Sequence, residues 1–165
     1  MAKLAPKDFF EKYWRDAVQT QIKYGVPSSI TLAKAAIESG WGGSGLTLRA
    51  NNFFGIKDQL NDEWKGDFTE VSTREEKPDG TSYYIISKFR KYKTSEDSFE
   101  DHAKFLVANK RYKSLFVNSN YKDWANGLQK AGYATANQYG ASIIRLIELY
   151  GLQKYDDVEV YKKKL

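Results

Sequence analysis

The stretch that most constrains this chain is Ser28–Gly45, where a short apolar helix ends on an acid and then breaks. Ser28 and Ser29 follow Gly25 and Pro27, a pattern that predicts a serine-capped helix start. Ile30, Ala33, Ala36 and Ile37 then recur at helical spacing. Leu32 and Ala35 widen that face, so the helix is expected to be buried on most sides. Gly40 suits the position just past a helix end. Glu38 therefore falls in the last turn, where the helix dipole is negative and disfavours an ionised carboxylate. Apolar surface such as Trp41 adds a desolvation penalty of the same sign. Both effects raise the carboxyl pKa, as a general acid working near neutrality requires. A glutamate at a helix end is ordinarily a solvated surface group. Here the buried helix and the glycines of Gly40–Gly45, which let another molecule approach the backbone, make Glu38 a candidate acid.

Other chemistries are constrained by what the chain lacks. It has no cysteine, which excludes thiol nucleophiles, disulfides and cysteine-ligated zinc. Its one histidine, His102, excludes histidine-rich metal centres and argues against a Ser-His-Asp triad. No metal or cofactor is expected, and His102 reads as a structural, hydrogen-bonded residue. The chemistry then falls to carboxylates and tyrosines. The net charge of +5 is mild and interspersed, which suits an anionic polymer or simply solubility. Nucleic-acid binding is not expected, because the basic residues form no stripe before Lys162-Lys163-Lys164. Aromatic residues make up 15% of the chain, enough to pack a core and also to floor a carbohydrate groove. No apolar run approaches membrane-spanning length, and the sequence from Met1 to Pro6 has no signal-peptide core. Either a leader was removed or export follows another route.

At 165 residues, a single domain spanning 1–165 is expected, acting as a monomer. Pro6 to about Tyr24 reads as an amphipathic helix with Phe9, Phe10, Tyr13 and Trp14 on its apolar face. Leu46 to about Lys57 lacks periodicity and reads as irregular. Asn51-Asn52-Phe53-Phe54-Gly55 is either a packed loop or a groove wall offering amides to a sugar. A β-lobe is expected over about 62–92. Phe68–Thr73 and Tyr83–Phe89 are its strand-like runs, and Lys77-Pro78-Asp79-Gly80 is its turn. Thr94 should cap a helix running to about Asn109. Further helices are expected over Tyr121–Lys130 and Tyr139–Tyr150, the last stopped by Gly151. An arm over about 152–165 either packs or frays. The fold class is α+β and mainly helical.

Several stretches together resemble glycoside hydrolase family 73, the bacterial endo-β-N-acetylglucosaminidases that cut peptidoglycan. They are AIESGWGGSGL (36–46), NNFFGIK (51–57), TREE (73–76), KFRKY (88–92) followed by SFEDHAKFL (98–106), and AGYAT (131–135). The resemblance covers about residues 8 to 150. It implies a lysozyme-like fold, with a helical lobe and a small β-hairpin lobe flanking a cleft, and action on peptidoglycan glycan strands at the cell wall. It places Glu38 at the catalytic acid. Glu75 takes the second acidic position in the β-lobe, with Glu70 and Glu76 as competitors because hairpin register can slip. Tyr133 matches the active-site tyrosine. Asn52, Phe54 and Gly55 match the groove segment, Trp41 lies beside the acid, and Tyr139 is retained further on. Family members often follow AGYAT with Asp-Pro-Asn-Tyr, where this chain has Ala136-Asn137-Gln138-Tyr139. Asn137 is the expected replacement cap for the next helix. The implied reaction is hydrolysis after N-acetylglucosamine. The rival readings are a lytic transglycosylase or muramidase on the same polymer, or a non-catalytic wall-binding module.

Overall fold

The structure, a computed structural model, describes residues 3–59 and 63–165. Its centre is α2 (Ser28–Glu38), in which Ile30, Leu32, Ala33, Ala35 and Ala36 have no exposed surface. Ile37, expected on the apolar face, is 41% exposed instead. Burial of each large aliphatic side chain stabilises the fold by about 1.5–3 kcal/mol. α1 (Pro6–Tyr24) packs Phe9, Phe10, Tyr13 and Trp14 into the same core.

The start of α2 differs from the expected serine cap. Pro27 holds the cap position and no side chain caps it in place. Ser28 and Ser29 lie inside the helix, fully buried. Their amides donate to Gln21 Oε1 (2.7 Å) and to Asp156 Oδ1 (2.8 Å). Free helix N–H groups need acceptors, and here α1 and the C-terminal arm supply them. The arm packs rather than frays. Leu152 and Tyr155 are buried within the 3-10 turn Leu152–Asp156, which leads through α7 (Val158–Tyr161) to a last 3-10 turn, Lys162–Lys164.

Part of the stretch expected to be irregular is helical. α3 (Gly45–Ala50) starts at Ser44, whose side chain accepts from the Thr47 amide. Six residues are too few to show a period, so only the cap could have signalled it. Past the described edge at 63, β1 (Asp67–Glu76) and β2 (Ser82–Lys91) pair antiparallel, with Thr69 opposite Phe89 and Glu75 opposite Tyr83. The expected β-lobe start at Asp62 lies outside the described residues. Lys77–Thr81 makes the turn, and Gly80 supplies the left-handed conformation (φ +89°). The hairpin is fastened at its base. The amides of Arg90 and Tyr92 donate to the carbonyls of Ile56 and Ala50. Arg90 also pairs with Asp101 at 2.8 Å.

α4 (Ser95–Ala108) begins at the expected Thr94 cap, which accepts from the Asp97 amide. A 3-10 segment, Lys110–Val117, then leads to α5 (Tyr121–Lys130), capped by Asn120. α6 (Tyr139–Tyr150) is not capped by Asn137. Gln129 of α5 does this work instead: its Oε1 accepts from the Gly140 amide (2.8 Å) and its Nε2 donates to the Asn137 carbonyl (2.7 Å). The loop between α5 and α6, which carries Tyr133, is thereby held at its far end.

Candidate active site

Glu38 is the last residue of α2. The turn after it is locked by two bonds, Trp41 N–H to the Ala36 carbonyl (2.8 Å) and Gly40 N–H to the Ile37 carbonyl (3.4 Å). This is the Schellman arrangement that closes helices on a left-handed residue. Gly40, Trp41 and Gly42 are all left-handed, at φ +56°, +58° and +83°. For tryptophan that conformation costs about 1 kcal/mol. It is held by Leu4, whose amide donates to the Trp41 carbonyl (2.9 Å), and by ring contacts to Phe9, Phe10 and Tyr150.

The Glu38 carboxyl opens onto a cavity of about 500 Å³. The side chain is half-buried, yet Oε2 is fully buried with no hydrogen-bond partner among the described residues. Burial pushes its pKa up to about 7, while the nearby Lys34 amine pulls the other way. Desolvation is the larger cause, as expected where no donor meets the charged form. Phe54 and Gly55 line the same cavity, with Tyr133, Tyr112 and Arg111 on the side of the α5–α6 loop and the 3-10 segment. Lys57, and Arg90 with its ion pair to Asp101, line the cavity on the hairpin side. A second hollow of about 730 Å³ shares Arg90, Phe105 and Asn109 with it and runs on past Trp64 to Lys104 and Lys110. The groove is therefore longer than one sugar ring.

Beneath the cavity lies a polar stack. His102, fully buried on α4, stacks on Phe54 with ring centroids 3.9 Å apart. Its Nε2 lies 2.7 Å from Lys34 Nζ. Lys34 Nζ also lies 3.2 Å from the centre of the Tyr133 ring. Burial holds the His102 pKa well below its usual value, with the lysine adding to the effect. The ring Nδ1 is buried with no hydrogen-bond partner among the described residues.

The expected site residues fall into three groups. Glu38, Phe54, Gly55 and Tyr133 meet at one cavity. Trp41, Asn52 and Tyr139 stand behind it. Trp41 sits in the aromatic cluster described above. Asn52 is buried and ties the 52–56 loop to β2, donating to the carbonyls of Ile56 (3.0 Å) and Arg90 (2.8 Å) and accepting from the Ile56 amide (3.2 Å). Tyr139 is buried and stacks on Tyr133 at 5.7 Å, with its hydroxyl unpartnered among the described residues. Glu75 forms the third group. It lies seven residues along β1 from Phe68, the register partner of Arg90, which is about 23 Å of strand. Along β1, Glu75 shares the half-buried face with Thr69, Val71 and Thr73, whereas Glu70 and Glu76 are on the exposed face. Sequence reading missed Lys34, Arg90, Tyr112 and Arg111. A lysine inside an otherwise apolar helix, at the fourth position before Glu38, was the visible signal for the first.

A mainly helical body with a small two-stranded hairpin, and a carboxyl at the cleft between them, is a lysozyme-like architecture. A family model described as mannosyl-glycoprotein endo-beta-N-acetylglucosaminidase matches residues 14–152. The chain belongs to this glucosaminidase family, glycoside hydrolase family 73. It is 41% identical over 141 residues to the exo-glucosaminidase LytG of Bacillus subtilis, covering 82% of this chain and 48% of that one. It is 34% identical over 147 residues to the peptidoglycan hydrolase FlgJ of Salmonella typhimurium, covering 86% and 45% respectively. The chain thus spans about half the length of the curated relatives it matches. Among solved structures, the catalytic domain of the autolysin Auto from Listeria monocytogenes superposes with a TM-score of 0.79 at 32% identity, covering 94% of this chain and 90% of that one. The glycoside hydrolase domain of Salmonella typhimurium FlgJ gives 0.71 at 28% identity, covering 98% of each.

Proposed function

We propose that this chain is a single, monomeric glucosaminidase domain that hydrolyses the β-1,4 bond after N-acetylglucosamine in peptidoglycan, acting at the cell wall with Glu38 as general acid. The observation that carries the reading is the Glu38 carboxyl at the edge of an open groove, its Oε2 buried with no hydrogen-bond partner among the described residues and its pKa raised to about 7. A group with that pKa is still protonated near neutrality and can give its proton to the leaving oxygen. Positive charge then develops on the sugar as an oxocarbenium-like species. Tyr133 and the ring of Phe54 border the place where that sugar sits. Tyr133 orients the 2-acetamido group or stabilises the charge. The basic side chains of Lys57 and Arg111 on the cavity wall suit a polymer carrying carboxylates.

Two continuations follow. An enzyme base that activates water would give inversion, with carboxylates about 6.5–9.5 Å apart. Glu75 would supply it only with the hairpin bent over the groove. The acetamido oxygen attacking the anomeric carbon would instead give retention with no enzyme nucleophile. The position of Glu75 outside the cavity favours this second route, with Glu75 assisting. Digestion of purified peptidoglycan, borohydride reduction and mass analysis tests the reading. Reduced N-acetylglucosamine ends are expected. Reduced muramic ends would mean a muramidase, and anhydro-muramic ends a transglycosylase. Binding to walls without any cleavage would mean a binding module.

A further inference from the structure

Lys34 takes no direct part in that reaction. The residue is fully buried on α2, one turn before Glu38. Spacing of four places the two on one helix face, about 5–6 Å apart at Cβ. Rings, not a carboxylate, hold the amine: His102 Nε2 at 2.7 Å and the face of Tyr133 at 3.2 Å. Both rings belong to the site, since His102 stacks on cavity-lining Phe54 and Tyr133 lines the cavity itself. Burying an amine without a hydrogen-bonded counter-ion is expensive, and methionine would fill the same space without that cost.

We propose that Lys34 is a positioning residue that acts through Glu38: its amine, clamped between His102 and Tyr133 behind the acid, stabilises the carboxylate left when Glu38 gives up its proton, and so sets the pH range in which Glu38 works. This rests on Glu38 as the acid. The groups facing the amine are Glu38 from α2, His102 from α4 and Tyr133 from the α5–α6 loop. Tyr139 of α6 stands behind Tyr133, and Tyr112 and Arg111 of the 3-10 segment flank it. His102 is held neutral and the three tyrosines are pushed above their usual range by burial. Near neutral pH, therefore, only Glu38 and Lys34 change charge in this cluster. Burial pushes the lysine down to about 7 and the Glu38 attraction opposes it.

The signs are opposite for two substitutions. A neighbouring cation lowers a carboxyl pKa. Lys34→Met removes it, so the Glu38 pKa rises and the alkaline limb of kcat/KM moves to higher pH. Lys34→Arg makes the charge permanent, so the limb moves to lower pH. The experiment is the pH profile of kcat/KM on solubilised peptidoglycan for the parent and both variants. It is joined to a carbon NMR titration of the Glu38 carboxyl in the parent and Lys34→Met. The expected result is an upward move of about one pH unit or more in both readouts for Lys34→Met. If the larger arginine does not fit, the methionine pair decides. A limb and a carboxyl midpoint that stay put or move down in Lys34→Met overturn the proposal, as would a drop in rate equal at every pH. Parental turnover by Glu38→Gln would sink the acid reading instead, while the NMR titration would still report the lysine–glutamate coupling.

Discussion

Replacing Glu38 by Gln should make the fold more stable at alkaline pH. The carboxyl is raised from 4.5 to about 7 by burial. An acid raised in this way contributes stability that is complete below its unfolded pKa and lost as pH rises through its folded pKa. The two values differ by about 2.5, and at about 1.4 kcal/mol per pH unit the cost of ionising the buried group reaches about 3 kcal/mol. Gln carries no charge at any pH and escapes that cost. The value of about 7 already includes the opposing attraction of Lys34, so about 3 kcal/mol is the net cost. Urea unfolding of parent and variant at about pH 5 and about pH 8.5 reads the difference. The variant's advantage should widen by about 2–3 kcal/mol between the two conditions. A gap that does not widen, or that narrows with rising pH, would refute the argument that burial holds the carboxyl in its protonated form.

Two further outcomes separate support from chemistry. Trp41→Ala strips a ring from the cluster of Phe9, Phe10 and Tyr150, and should cost about 2–4 kcal/mol in urea unfolding with KM unchanged; a raised KM at parental stability would put the ring in the groove. Glu75→Gln should lower kcat about tenfold or more, while Glu70→Gln and Glu76→Gln, on the exposed strand face, leave it at the parental value. Equal effects at all three positions would mean that the hairpin contributes only overall charge.

The parts legible in the sequence are those with a local cause. Glu38 could be placed at a helix end because the apolar period of α2 and the glycine after it are both short-range signals. The hairpin was legible from its β-branched and aromatic runs and the Pro78-Asp79-Gly80 turn. What stayed hidden was settled across space. Asp156 and Gln21 cap α2 from distant segments, and Gln129 does the same for α6, so a search for local caps pointed to Ser28 and Asn137 instead. The role of Asn52 depends on β2, thirty-eight residues away. Phe54, Gly55 and Tyr133 line one cavity with Glu38, a meeting that composition and spacing could not show. Lys34 meets His102 and Tyr133, neither of which is near it in the chain.

The central claim is that Glu38 supplies the proton for glycan cleavage. It is tested most directly by measuring the release of new reducing ends from purified peptidoglycan by the parent and by Glu38→Gln, with the fold of both verified by circular dichroism. A loss of at least about 10²-fold is expected in the variant, the scale of general-acid catalysis, with the helical signal unchanged. A folded Glu38→Gln that releases reducing ends at the parental rate would contradict it.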